Sequence, residues 1–152
     1  MNNNSLIKIF HKISYLQYPF LLAALGYYIP FMISLINRSP DWGVLNYVLI
    51  LLGISLSFST LQDTTTTQNE FSKKIWQHPT KGKITLIMIA IAAFIFIIVG
   101  LLSLFYFKAD QSESVAVGIT VLGIGMIGML KAAIEMFENH RLDKNQESED
   151  AR

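Results

Sequence analysis

One stretch limits this chain more than any other. "ITLIMIAIAAFIFIIVGLLSLFYF", Ile84 to Phe107, runs for 24 residues without a charged side chain. A helix wound from it is apolar on every face, so no orientation gives water a polar side. At 1.5 Å per residue it would be about 36 Å long, enough to cross a hydrocarbon core of about 30 Å. Three more runs of spanning length lie at 15–36, 44–62 and 114–142, the last turning charged after Leu130. Backbone groups in lipid must be paired within their own segment, and the period-two pattern of barrel strands is absent. The fold class expected is therefore all-α, an integral membrane four-helix bundle. The first run contains two prolines and no A-x-A site, so it reads as a retained helix rather than a cleaved leader.

Charge sets the expected topology. Basic residues concentrate on the side that stays in the cytoplasm. Lys8 and Lys12 precede the first run. Lys73, Lys74, Lys81 and Lys83 separate the second from the third, and Lys131, Arg141, Lys144 and Arg152 follow the fourth. The other two connections, "NRSPDWG" and "KADQSES", hold only Arg38 and Lys108. Both termini and the loop 63–83 are thus expected inside, giving two tandem transmembrane hairpins, N-in and C-in, in a bacterial cytoplasmic membrane. Residues 1–14 place Leu6, Ile9, Phe10 and Ile13 at helical spacing, as an amphipathic segment on the inner leaflet would. The domain proper is 15–143, with a third helix at 84–107, and 144–152 is expected to be a disordered tail. Trp42, Tyr106 and Phe107 are expected near the outer interface and Trp76 near the inner one. Within the loop, Ser72 is a candidate cap for a short helix ended by His78-Pro79.

Internal similarity points the same way. "LLGISLSFSTLQDTTTTQN" (Leu51 to Asn69) and "VLGIGMIGMLKAAIEMFEN" (Val121 to Asn139) share L-G-I before a small residue, and Gly26 and Gly100 take comparable places in the preceding helices. Two hairpins in tandem would be parallel repeats.

The candidate residues fall into two groups. Gly118, Val121, Gly125, Gly128 and Ala132 form one small-residue strip on the fourth helix, with Ala116, Thr120 and Gly123 on the opposite face. Small residues let helix backbones approach closely in lipid, so this helix should sit centrally, against a neighbour in its own chain and against another subunit. Gly26 and Gly100 join it as expected packing positions. The second group is polar. Ser55, Ser59 and Asp63 recur every four residues along one face, and Lys131 and Glu135 stand at the inner edge of the fourth helix. They could meet in a polar cluster at the inner mouth of the bundle.

Several chemistries are excluded. There is no cysteine, so no thiol catalysis or cysteine-bound metal. His11, His78 and His140 lack metal-ligand spacing, and the phosphate-loop, serine-hydrolase and HExxH patterns are missing. No acid or base lies in the middle third of a helix, where coupled transporters generally keep one. A net charge of +1 does not suit nucleic acid. The expectation is a non-enzymatic accessory subunit without cofactor, catalytic residue or metal, whose partners are the lipid bilayer and copies of itself or other membrane subunits. The alternatives are a passive pore along the second helix and a regulator binding a partner through 63–83.

Overall fold

The computed structural model describes residues 3–64, 70–106 and 110–143. The expected tail 144–152, Phe107 and most of the threonine run lie outside them. Six helices appear, α1 Asn3–Ser14, α2 Gln17–Ile36, α3 Trp42–Ser59, α4 Glu70–Gln77, α5 Pro79–Phe105 and α6 Asp110–His140, with no strand among the described residues. Four segments are long and apolar enough to cross a membrane: Lys8–Ile36, Trp42–Ser59, Pro79–Phe105 and Val115–His140.

The helix ends follow local chemistry. The chain leaves α2 with Arg38 in the left-handed region, φ 57°. There Arg38 N–H donates to the Leu35 carbonyl (3.1 Å) and Ser39 N–H to that of Ser34 (3.0 Å). This is the Schellman pattern, with arginine where glycine is the usual choice. Three residues on, Asp41 caps α3 by accepting from Val44 N–H at 3.1 Å. Its own N–H donates to the Ser34 hydroxyl (3.1 Å), which ties the turn together.

The spanning helices depart from the expected bounds by two to five residues at one or both ends, and two local departures have a physical cause. The third spanning helix starts at Pro79, not Ile84. Proline suits the first helical turn, where its missing N–H has no partner anyway. The apolar run marks where lipid begins, not where the helix does. Ser72 is not a cap either; it lies inside α4, and its hydroxyl accepts from Trp76 Nε1–H at 2.8 Å. The end of α4 does fall just before His78-Pro79, with His78 extended at φ −91°, ψ 115°.

The spanning helices stand in an open row. α6 packs along α3 on one side and along α5 on the other, while α2 packs along α3 and makes no extensive contact with α5 or α6. The order across the row is α2–α3–α6–α5. Asn46 lies by Gly118, Gly53 by Gly125 and Thr60 by Gly128, so α3 and α6 run in the same direction. Gly100 meets Thr120 and Gly82 meets Phe137, so α5 runs opposite to α6. Phe20 stacks on Phe58 (5.5 Å) and Phe31 lies against Trp42 (6.4 Å), so α2 runs opposite to α3. The two end helices turn most of their surface outward, with Leu22, Ile29, Met88 and Phe94 all more than half exposed. Lipid is the solvent that suits such faces.

Candidate functional site

α6 is the hub of the row, and its small residues explain how. Gly118, Gly125 and Gly128 face α3. A Cβ at Gly118 would lie 2.7 Å from the Asn46 carbonyl oxygen, and one at Gly128 would lie 2.8 Å from Thr60 Cγ2. A Cβ at Gly125 would run into the Gly53 carbonyl, and one at Gly53 would lie 2.6 Å from the Val121 carbonyl oxygen. The two helices therefore touch backbone to backbone. The opposite face meets α5: a Cβ at Gly123 would lie 2.9 Å from Ile97 N, and one at Gly100 would lie 2.8 Å from Thr120 N. Both small faces are filled by helices of the same chain. Gly26 behaves differently, with nothing within 4 Å of a Cβ built there. The aligned pairs of the internal similarity also have different surroundings: Gly53 faces α6 while Gly123 faces α5, and Gly100 is packed where Gly26 is not.

A polar contact joins the central pair. The Asn46 side-chain oxygen accepts from Gly118 N–H at 2.6 Å, across the α3–α6 interface. Asparagine in lipid needs a partner, and only a glycine lets it come this near a helix backbone. The sequence reading passed over Asn46. The signal was present: an amide among "GVLNYVLILL", one turn inside α3.

The expected polar residues take separate neighbours. Ser55 is buried, and its hydroxyl donates to the Gln17 carbonyl of α2 at 2.9 Å. The Ser59 hydroxyl donates back to its own helix at Leu56 (2.8 Å). Asp63 is half-buried just past the end of α3. Lys131 and Glu135 pair with each other at 3.2 Å, with side chains 81% and 47% exposed. An exposed pair of this kind contributes little to stability. Ser59 and Ala132 instead line a cavity of about 200 Å³ with Gln62, Ser72, Trp76 and Met136, on a side of α6 away from Lys131. Ser55, Ser59 and the Lys131–Glu135 pair thus do not converge on one mouth.

α4 forms one wall of that cavity. Trp76 is 8% exposed and packs with Ala133 and Phe137 of α6, with Ile75, Leu86, Ile89 and Met136 around them. Its indole is an internal anchor of α4 and is covered by α6. Gly82 makes room for the Phe137 ring, which lies directly against it. Arg141 then folds over the same ring (5.7 Å) and pairs with Glu138 at 3.0 Å and Asp143 at 3.6 Å. Beside this corner a second cleft of about 430 Å³ opens between Lys74, Gln77, His78, Pro79, Leu142 and Asp143. An apolar groove of about 480 Å³ lies toward the opposite ends of the helices, between α3, α5 and α6, among Trp42, Leu45, Phe96 and Val115. No group of three or more metal-ligating His, Cys, Asp or Glu side chains occurs among the described residues. The chain matches no family model, no curated protein and no solved structure.

Proposed function

We propose that this chain is a non-enzymatic accessory subunit of a bacterial cytoplasmic membrane, built as two tandem hairpins with both termini inside. In this reading its work is assembly. α2 and α5 at the ends of the row pack against copies of the chain or against other membrane subunits. The observation that carries the reading is the division of labour between helices. The small faces of α6 are consumed inside the chain, whereas the outer faces of α2 and α5, including the open Gly26, are left unfilled. The distribution of lysine and arginine supports the orientation. The polar residues of α3 favour this reading over a pore, because Ser55 and Ser59 bond to helix carbonyls of the chain itself.

The test is extraction into native lipid discs followed by mass measurement, beside a solute-flux assay in proteoliposomes. Assemblies larger than one chain without flux are expected. A monomer that passes small solutes would overturn the proposal in favour of the pore. Reporter fusions at the two ends should both read as cytoplasmic.

A further inference from the structure

We infer that the cleft at the α4–α5 corner is a binding site for the headgroup of an anionic phospholipid. The inference rests on the reading that α5 spans a membrane with this end toward the anionic leaflet. Depth is the first argument. Pro79 precedes Ile84, where the exposed apolar surface of α5 begins, by five residues, or about 7.5 Å of helix. The headgroup layer on each side of a bilayer is about 5–7.5 Å thick. The cleft therefore sits at the level of lipid phosphates.

Charge is the second argument. Lys73, Lys74, Lys81 and Lys83 are all exposed around this corner and make no ion pair among the described residues. Negative charge is also present: Glu70 stands on α4 one turn before Lys74. Glu138 and Asp143 share the single Arg141 guanidinium, which leaves that trio one negative charge. Against these two negative charges the corner sets four exposed lysines, a surplus of positive charge, with Lys74 in the cleft wall itself beside His78 and Gln77. A volume of about 430 Å³ falls in the range of about 300–1,000 Å³ usual for small-molecule sites.

Rigidity is the third argument. The buried Trp76 pins α4 onto α5 and α6, so the lysines of α4 are presented from a fixed corner rather than from a loose loop. A lipid suits the surroundings better than a free anion. Lys81 shares an exposed face of α5 with Ile84, Met88 and Ile91, along which acyl chains can lie.

The experiment uses the purified full chain in mild detergent. Phosphatidylglycerol and phosphatidylcholine are offered in equal amounts, and bound lipid is counted by native mass spectrometry. Selective retention of phosphatidylglycerol is expected. Lys74→Gln should weaken it about fivefold, and Lys74→Gln with Lys81→Gln about 25-fold. Lys131→Gln, on α6 outside the cleft, should leave it unchanged. Three results would overturn the inference: equal retention of the two lipids, equal loss with Lys131→Gln, or complete displacement by millimolar inorganic phosphate. Resistance of the wild-type chain to carbonate extraction tests the membrane reading separately. A chain that stays in the membrane yet shows no lipid preference refutes the headgroup site alone.

Discussion

Gly53→Ala offers the most direct test of the backbone contact at the centre of the row. The added Cβ would lie 2.6, 2.7 and 2.8 Å from three backbone atoms of Val121 and Leu122. None is the far end of a flexible side chain, so the helices themselves must part. Bringing the nearest atom from 2.6 Å to the 3.4 Å of ordinary contact requires α3 and α6 to separate by about 0.8 Å. A gap of about 0.5–1 Å forfeits a quarter to a half of each dispersion contact along the seam. Overfilling a close-packed site of this sort costs about 1–3 kcal/mol. The gain of up to about 1 kcal/mol in helix propensity offsets little of it, because a segment left in lipid stays helical even when unpacked. Gly26→Ala is the control, since nothing lies within 4 Å of the new atom. It should stay within about 0.5 kcal/mol of wild type. Both variants can be measured by reversible unfolding in mixed micelles, titrating a denaturing detergent and following the fluorescence of Trp42 and Trp76, which sit at contacts between helices. If Gly53→Ala unfolds with the wild-type midpoint, or Gly26→Ala suffers as much, the argument for backbone contact is wrong.

Three other variants probe separate joints. Asn46→Leu removes the acceptor for Gly118 N–H and should cost about 0.6–1.7 kcal/mol in the same titration, the span measured for hydrogen bonds between membrane helices. Trp76→Ala empties the α4 anchor and should destabilise by about 3–5 kcal/mol if α4 unfolds with the rest. If α4 instead detaches alone, trypsin should cut at Lys73 and Lys74 faster while the spanning helices keep their midpoint. Arg38→Gly relieves a left-handed arginine, a conformation costing about 1–2 kcal/mol, against about 0.4–1 kcal/mol of added freedom in the unfolded chain. A small rise in the unfolding midpoint is expected, and a fall would mean that the arginine side chain holds the turn.

What the sequence made legible follows from geometry that needs no partner. The charge-free run at Ile84 and the small residues on α6 are written directly in residue spacing, because 100° per residue assigns each side chain a face. Which neighbour fills a face is not written there. Gly118 and Gly123 look alike in sequence, and one meets α3 while the other meets α5. Apolar surfaces carry no address, so a second subunit was an equally good expectation. The polar residues failed for a related reason. Ser55 and Ser59 were grouped by their four-residue spacing, but a hydroxyl in lipid satisfies itself on the nearest carbonyl, and for Ser55 that carbonyl belongs to α2. The partner of Trp76 was equally unwritten: nothing in the spacing of α4 says that the small side chain of Ala133 leaves room for its ring against α6.

The open row also sets how stability is shared. In a closed ring every helix has two neighbours. Here α3 and α6 have two extensive helix partners each, while α2 has one and α5 gains only the short α4 besides α6. The system approaches a one-dimensional chain, in which each unit feels its adjacent units and little else. Removing α2 breaks one major seam, whereas removing α3 breaks two and strands α2. Unfolding should therefore proceed inward from the ends, and when the chain is pulled from its N-terminus the first force peak should release α2 while α3, α6 and α5 remain assembled.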